Sequence, residues 1–400
     1  MNSIVRRIDM NIQNEFLLNI GKKTKKGRIR YWDDNDFSIR LSSFQNEQQA
    51  GLWFKTKGCS YDRRGGCIMC DYSIGTNTSV SDMIRYVEKG LSKLPSHCSN
   101  LLISPSGSMF DESEVPKEAL IKILDLLSKS SHDTFSFETR ADTISDEKVK
   151  MCQEILKGRL KRIYIGLETA NPWALKYSVN KQMRTDDFLK SVDILHRNGV
   201  NVAANILISM PFFNENECIT LAVKSAKWAI KNGVDECFLF PVHVKEHTTL
   251  KVLYDYSMYT PPSLWQLVEV ISRLGPELYS KIRLSWYTSY GAYNVIASPT
   301  TCEKCYDKVI DLLDHFSQFQ DQRSMDELIN FECSCKYAWQ EHIGISEINT
   351  PVQKVKNAYD FLGKKYIPDW WKEHSKKILS ELSIEADDML YKNNINNVTL

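Results

Sequence analysis

The sequence GCSYDRRGGCIMCDYS, residues 58–73, is a cysteine-rich loop that directly follows a predicted strand at 51–56. Its three cysteines, in the spacing C-x7-C-x2-C, are Cys59, Cys67 and Cys70. Thiolates are soft ligands suited to iron–sulfur clusters, and three of them leave one iron of a cuboidal cluster open to a substrate or cofactor. Gly65 and Gly66 provide the backbone freedom that such a loop needs. The spacing favours a 4Fe–4S cluster; a three-cysteine zinc site, or no metal, is the alternative.

Outward from this loop, strand-like and helix-like segments alternate from residue 51 to about residue 290. Predicted strands cover 51–56, 100–104, 134–137, 162–167, 201–209, 236–240 and 282–286. Predicted helices follow Pro116 and begin near residues 145, 172, 185, 216 and 263. Strands that alternate with helices of this length form parallel βαβ units. Because at least six units occur without a glycine-rich dinucleotide fingerprint, we predict an α/β fold, a full or partial (β/α) barrel, rather than a Rossmann sheet.

The composition is that of a soluble globular protein, because 42% of the 400 residues are hydrophobic and 25% are charged. No run approaches the ~18 apolar residues that a membrane span requires. Residues 1–20 lack a secretory signal pattern, so we expect a cytoplasmic protein, in which eleven cysteines indicate metal binding or catalysis rather than disulfides. A net charge of +1 does not predict nucleic-acid binding, although a local basic surface is compatible with it.

One candidate for such a surface is a basic run in the N-terminal region. It comprises Lys22, Lys23, Lys25, Lys26, Arg28 and Arg30. A run of this kind is typical of a solvated loop, which is our prediction, and contact with phosphate groups is the alternative.

The cysteine loop and four further segments resemble the radical S-adenosylmethionine (SAM) superfamily, and within it the archaeosine-synthase radical enzyme (RaSEA) family. The further segments are SPSGSMFDESEVP (104–116), ETRAD (138–142), IGLETAN (165–171) and NKQM (180–183). The commoner superfamily spacing is C-x3-C-x2-C, and an aromatic residue usually stands where this chain has Met69. The resemblance covers about residues 50–345.

This resemblance implies a cofactor set, a reaction and partners. A 4Fe–4S cluster on the three cysteines would bind SAM at its open iron and cleave it reductively to a 5′-deoxyadenosyl radical, which takes hydrogen from the substrate. In the RaSEA family the implied reaction is C–N bond cleavage on a lysine-modified deazaguanine base in tRNA, as a lyase or transferase. An electron donor such as flavodoxin or ferredoxin, and a partner enzyme, would accompany it.

Polar residues at the predicted strand ends are the candidates for binding SAM and substrate, because a barrel carries its chemistry there. The SAM candidates are Ser106, Gly107, Ser108, Glu138, Arg140, Glu168 and Asn205. In the superfamily a turn after the second strand contacts the SAM amino group, while carboxylates suit ribose hydroxyls and arginine suits the methionyl carboxylate. The substrate candidates are Asp111, Asn171, His243 and Trp286. Ordinary structural contacts are the alternative for every one of them.

A second cysteine group lies near the C-terminus. It consists of Cys302, Cys305, Cys333 and Cys335. Two close pairs make a four-thiolate set that suits a structural zinc or an auxiliary iron–sulfur cluster, and we favour zinc because a closed four-cysteine site needs no redox chemistry. Four free thiols are the alternative.

These observations divide the chain into four predicted parts. They are an N-terminal extension (1–50), the barrel (51–294), a four-cysteine extension (295–345) and a C-terminal helical segment (346–400). Two other functions stay open: a radical SAM enzyme that acts on a small molecule or natural-product intermediate, including 3-amino-3-carboxypropyl transfer, and a zinc-binding nucleic-acid-binding or scaffold protein. The latter would carry structural metal at both cysteine groups.

Overall fold

The computed structural model describes residues 12–26, 36–73, 75, 77–105, 107–292, 294–343 and 349–392. Its centre is an eight-stranded sheet in the order β1-β2-β3-β4-β5-β6-β7-β9. The strands are β1 Phe37–Phe44, β2 Glu47–Phe54, β3 Asn100–Ser104, β4 Thr134–Glu138, β5 Leu160–Glu168, β6 Asn201–Ile208, β7 Glu236–Pro241, β8 Val244–Lys245, β9 Ile282–Leu284 and β10 Val295–Ala297. Strands β2 to β7 and β9 run parallel, whereas β1 pairs antiparallel with β2.

Helices cover the sheet and extend beyond it. The α-helices are α1 Ile12–Thr24, α2 Ser60–Arg63, α3 Val80–Lys93, α4 Lys117–Ser128, α5 Asp146–Ile155, α6 Thr185–Arg197, α7 Glu215–Lys231, α8 Thr249–Asp255, α9 Leu264–Leu274, α10 Tyr306–Phe319, α11 Gln322–Ile329, α12 Ser334–Ile343, α13 Pro351–Tyr366 and α14 Pro368–Ala386. Two 3₁₀ segments, Ala141–Thr143 and Pro276–Lys281, and two π-helical segments, Ala174–Val179 and Asp387–Lys392, complete the described elements.

The predicted α/β class is confirmed, and the barrel is partial. Within the described ranges no ladder joins β1 to β9, so the sheet stays open between these two edge strands. Each predicted strand corresponds to a strand of the sheet. The prediction succeeds because short apolar runs bounded by turn residues are typical of buried parallel strands. Local capping also agrees: the Ser145 side chain accepts from the Lys148 main-chain N–H and begins α5.

The main core lies between the sheet and its outer helices. Phe135 and Phe137 of β4 and Ile163 and Ile165 of β5 are fully buried. Side chains of alternate residues point to the same side of a strand, so these strands direct apolar groups to the helices and leave other positions for the inner face. The polar side chains discussed below lie at or near the carboxyl ends of these parallel strands.

A second packing unit joins the two ends of the chain. Helix α1 contacts α13 and α14, with the Phe16 ring 4.9 Å from Tyr359 and 4.7 Å from Trp371 between centroids. Strand β2 crosses the predicted boundary at residue 50, and β10 pairs with β8 across the predicted boundary at 294. The four-part division stays a prediction. Among the described helices none is both long and apolar enough to cross a membrane.

Candidate functional site

The cysteine loop leaves β2 at the carboxyl edge of the sheet and closes on itself through main-chain hydrogen bonds. The Cys59 N–H donates to Tyr72 O at 2.9 Å, and the Cys70 N–H donates to Cys67 O at 3.2 Å. Gly66 has a φ of +43°, and a Cβ there would lie 2.5 Å from the Asp62 Cα. Because a side chain at position 66 would clash with Asp62, glycine is required there for the tight turn between Cys59 and Cys67.

Of the three cysteines in this loop, Cys59 is buried, and Cys67 and Cys70 are half-buried. Burial raises the pKa of Cys59, raises that of Cys67 to about 12, and raises that of Cys70 well above its usual value. Cys59 raises the pKa of both other thiols and Cys67 raises that of Cys70, so the three sulfurs lie within electrostatic reach of one another. Three soft donors in one loop fit a metal cluster, which binds them as thiolates.

Three cations surround this set, each paired with a carboxylate. The Lys25 ammonium donates to Cys67 O at 2.9 Å and pairs with Asp62. The other two pairs are described separately below. Lys25 lies in the basic run at the end of α1, and its side chain is only 5% exposed. The prediction of a solvated loop is therefore wrong for this residue, because Asp62 stabilises its charge in the interior; Arg28 and Arg30 lie outside the described residues.

Arg140 is the cation beside Cys59. Its Nη1 lies 3.6 Å from the Cys59 Sγ and 3.1 Å from Glu114 Oε1, while its Nη2 donates to Asp111 Oδ2 at 2.9 Å. Nε also donates to Asp142 at 3.0 Å. The guanidinium thus links the first cysteine to the turn after β3.

Lys181 is the cation that acts on Cys67. Its Nζ donates to Glu168 Oε1 at 2.9 Å, and its charge lowers the pKa of the Cys67 thiol against the effect of burial. Glu168 has a φ of +69°. A Cβ at Gly166 would lie 2.2 Å from Glu168 Oε1 and 2.7 Å from Lys181 Nζ, so glycine at this strand position leaves the space for the ion pair.

Glu114 is the carboxylate that organises the turn after β3, a role that sequence reasoning missed. Its Oε1 accepts from the Ser60 N–H at 2.9 Å and its Oε2 from the Ser108 N–H at 2.7 Å. Burial raises the pKa of Glu114 to about 7, while those two hydrogen bonds and the Arg140 charge lower it. In the sequence, Glu114 is one of three acidic residues in the segment DESEVP (111–116), and nothing there distinguishes it as the partner of Arg140.

A comparison with family models identifies the part of the chain that carries this site. Residues 53–224 match the model described as the Radical SAM superfamily, a range that holds the three cysteines, Glu114, Arg140, Glu168 and Lys181. This part of the chain is a radical SAM domain. The recognition made from the sequence is confirmed, and Lys25 lies outside the matched range.

Two relatives that match more than two thirds of the chain carry the name archaeosine synthase subunit beta. The protein from Methanosarcina acetivorans is 27% identical over 310 residues, which are 75% of this chain and 86% of that protein. The protein from Thermococcus kodakarensis is 27% identical over 296 residues, 71% of this chain and 88% of that protein. Among solved structures, methylornithine synthase (PylB) is similar with a TM-score of 0.45 and 11% identity, over 82% of this chain and 91% of that one.

The SAM candidates on the turn after β3 have mostly internal roles in the radical SAM domain. Ser106 lies outside the described residues. A Cβ at Gly107 would lie 2.1 Å from Glu114 Oε2. Ser108 is fully buried, and its hydroxyl lies 2.7 Å from that of Thr139 and accepts from the Arg140 main-chain N–H at 3.1 Å. These contacts occupy Ser108 and leave its SAM role a prediction.

The remaining SAM candidates lie on or directly after strands β4, β5 and β6. The Glu138 carboxylate accepts from the Ser104 hydroxyl, and burial raises its pKa. Glu168 and Arg140 are in the ion pairs given above. Asn205, in the middle of β6, has a buried Oδ1 without a hydrogen-bond partner among the described residues. Buried polar atoms normally have partners, so this amide fits a site for a polar ligand.

Two substrate candidates, Asp111 and Asn171, lie within the radical SAM domain, and the other two, His243 and Trp286, follow it in sequence. Asp111 pairs with Arg140. The Asn171 Oδ1 accepts from the Ala174 N–H at 2.9 Å and supports the start of the π-helical segment. His243 is 5% exposed; its Nε2 contacts Trp286 O and its Nδ1 lies 3.1 Å from Ser298 Oγ. Substrate contact by these residues stays a prediction.

A small pocket adjoins the cysteine loop. It is lined by Tyr61, Arg64, Arg140, Ala141, Asp142, Lys181, Gln182 and Met183. Two of the three cations that surround the thiols, Arg140 and Lys181, therefore also line this pocket, together with Met183 of the NKQM segment.

The second cysteine group forms a compact four-sulfur cluster. The Sγ of Cys302 lies 3.6 Å from those of Cys305 and Cys333, and the Sγ of Cys335 lies 3.5 Å from those same two sulfurs. Trp265 Nε1 donates to the Cys335 Sγ at 3.3 Å. All four sulfurs lie within 4.8 Å of one another, which is close enough for a single metal ion to bind all of them. The fold therefore brings the four predicted cysteines together, and their role as metal ligands stays a prediction.

Proposed function

We propose that this protein is a radical SAM enzyme that binds a 4Fe–4S cluster through Cys59, Cys67 and Cys70. We propose further that it cleaves a C–N bond of a lysine-modified deazaguanine base in tRNA, the reaction of archaeosine formation. One observation carries the proposal: one buried and two half-buried thiols lie in a single loop at the carboxyl edge of parallel strands, inside a radical SAM domain. The names of the two archaeal relatives support the tRNA substrate.

The residues around the thiols suit this chemistry. When bound, the cluster would supply the electron that cleaves SAM to methionine and a 5′-deoxyadenosyl radical. Lys25, Arg140 and Lys181 would offset the negative charge of three thiolates. The unpartnered amide oxygen of Asn205 is suited to accept a hydrogen bond from SAM.

The second cysteine group suits a structural zinc ion. A tetrahedron of thiolates around one zinc, with Zn–S bonds of about 2.3 Å, has sulfur–sulfur edges of about 3.8 Å. The four nearest distances in the group are 3.5–3.6 Å. A cuboidal cluster places its ligands on separate irons and needs wider spacing, so a single ion fits better. Its role would be to fasten α10 and α12 to α9 through Trp265.

Two partners follow from the proposed chemistry. Reductive cleavage of SAM needs one electron, so a low-potential donor such as flavodoxin or ferredoxin is required. The relatives are named as subunits, which favours a partner enzyme for this chain as well.

The test begins with protein purified and reconstituted without oxygen. We expect about four irons and one zinc per chain, a broad absorption band near ~400 nm, and 5′-deoxyadenosine when SAM and dithionite are added. Cys67→Ala should lose iron and product, while Cys98→Ala, which removes a lone buried thiol, should keep both. The enzyme would then be incubated with tRNA that carries the lysine-modified deazaguanine. Mass spectrometry of the tRNA before and after incubation would show whether this base is converted.

Each competing function has a distinct result. Zinc without iron after reconstitution would contradict the proposal and favour a metal scaffold. Methylthioadenosine in place of 5′-deoxyadenosine would indicate 3-amino-3-carboxypropyl transfer. Formation of 5′-deoxyadenosine with unchanged tRNA would favour a small-molecule substrate.

A further inference from the structure

The end of α1 and the outer side of the cysteine loop together form a basic surface, which we call the basic patch. Its members are Lys22, Lys23, Lys26, Arg63 and Arg64, and all are exposed. The first three belong to the basic run of the N-terminal region, and the last two lie between Cys59 and Cys67. In sequence the two groups are separated, so their combination is a property of the fold.

Close backbone contact holds the two halves of the basic patch together. A Cβ at Gly21 would lie 2.2 Å from Gly65 O, and a Cβ at Gly65 would lie 2.2 Å from Leu18 O. Lys25 adds a buried link from the same turn to Asp62. The positions of the exposed cations relative to the loop are therefore fixed by packing, as a binding surface requires.

The charge of the basic patch is not neutralised by neighbours. Among the residues that the structure describes, none of the five cations has an ion-pair partner, whereas most other charged residues near the site are paired. The net charge of the chain is only +1, so five unpaired cations on one face are a local concentration. Such a surface attracts a polyanion without sequence preference.

The basic patch continues into the small pocket beside the loop. Arg64 belongs to both, and its guanidinium lies 5.6 Å from the Tyr61 ring centroid. Enzymes that modify a base in folded nucleic acid extrude the nucleotide, and the flanking phosphates then lie at the mouth of the site. A planar arginine at that boundary can stack on a base or pair with a phosphate.

From this arrangement we infer that the basic patch binds the phosphate backbone of the RNA that carries the target base. This inference rests on the proposed tRNA function and adds to it the surface that holds the tRNA. An acidic redox protein is the other anionic partner that such a surface would suit. The exposed Arg64, which has no ion-pair partner among the described residues, favours RNA, because its planar guanidinium can stack on a base as well as pair with a phosphate.

The experiment uses full-length, anaerobically reconstituted protein and a fluorescent tRNA transcript as the probe. Binding is measured by anisotropy between 50 and 200 mM salt for wild type, K22Q/K23Q/K26Q and R63Q/R64Q. The matched control is K372Q/K376Q, two exposed lysines on α14. Iron per chain and far-UV circular dichroism are checked for every variant, so that a folding defect is recognised.

We expect tRNA affinity at 150 mM salt to fall at least tenfold in each patch variant and to stay unchanged in the control. The slope of log K against log salt should decrease by about 1 for each phosphate that a variant no longer binds. Wild-type affinity and slope in both variants would overturn the inference. Loss of reduction by flavodoxin with tRNA binding intact would also overturn it and assign the surface to a protein donor. Absence of tRNA binding in the wild type would reject the tRNA part of the proposed function itself, a result distinct from both.

Discussion

The ammonium group of Lys25 lies 2.9 Å from the main-chain carbonyl oxygen of Cys67, although Lys25 is outside the range that matches the radical SAM domain model. The same ammonium pairs with the buried carboxylate of Asp62. Since Asp62 Oδ2 accepts from the Ser73 N–H at 2.8 Å, one ion pair connects both ends of the cysteine loop to α1. The N-terminal helix is thus part of the site that the loop forms.

Lys25→Met should destabilise the protein and its metal site together. It leaves the Asp62 carboxylate buried and without its cation, which costs about 3–5 kcal/mol for groups of this kind. We expect lower urea stability and a severalfold loss of iron per chain. Lys26→Met, at the adjacent exposed position, is the control, and Lys25→Met/Asp62→Asn should recover part of the stability. Equal behaviour of the two lysine variants would contradict the role of the ion pair.

Gly107→Ala should act through Glu114. The added Cβ would lie 2.1 Å from Glu114 Oε2 and displace this carboxylate, whose Oε2 accepts from the Ser108 N–H and whose Oε1 accepts from Arg140. Such overpacking costs about 1–3 kcal/mol. In a Glu114→Ala background the clash is absent, so a double-mutant cycle by urea unfolding should give a coupling energy of at least about 1 kcal/mol. Additive effects would show that the two positions are independent.

Asn205→Ala should weaken SAM binding with little effect on folding. The Asn205 Oδ1 has no hydrogen-bond partner in the described part of the chain, so its removal leaves no internal partner unpaired. We expect SAM affinity, measured by equilibrium dialysis, to fall about tenfold, which corresponds to ~1.4 kcal/mol. Asn171→Ala is the matched control, because it removes a capping bond to Ala174 and should lower stability by about 1 kcal/mol without affecting SAM. The reverse pattern would remove Asn205 from the SAM site.

The fold was predictable because its signals are local. The strand at 100–104 has the predicted bounds, and the helix after Ser145 begins where a hydroxyl caps it. Apolar runs and capping residues depend on near neighbours, so they can be recognised without tertiary information. The spacing of Cys59, Cys67 and Cys70 is equally local.

The charged environment of the thiols was not predictable in the same way. Lys25 belongs to a run that looks solvated, yet folding buries it against Asp62. Glu114 lies in an acidic turn that suggests exposure, yet it accepts hydrogen bonds from Ser60 and Ser108. Lys25 and Asp62 are 37 residues apart in the sequence, and Ser60 and Glu114 are 54 residues apart. Only the packed edge of the sheet brings the members of each pair together.

Cys335→Ala should release the metal from the four-cysteine cluster. A tetrahedral ion that loses one of four thiolates binds far more weakly, so zinc per chain should fall from about one to a small fraction. Because Trp265 donates to the Cys335 sulfur, its fluorescence should change in the variant and when a chelator removes the metal from wild type. Cys98→Ala serves as the control. About eight irons per wild-type chain, with no zinc, would make this site a second cluster.

Because His243 is buried and neutral in the folded protein, the free energy of unfolding should decrease in mild acid. Burial lowers the pKa of His243 from 6.5 to about 4, so the native state keeps a neutral ring that donates to Trp286 O. Between pH 6.5 and 4 the unfolded chain binds the extra proton, so stability is constant above this window and falls as pH decreases through it, by about 3 kcal/mol in total. Urea unfolding of wild type and His243→Gln at pH 7.5 and pH 4.5 tests this, with exposed His97→Gln as the control. A His243→Gln variant that loses as much stability as wild type over this interval would contradict a neutral, buried His243.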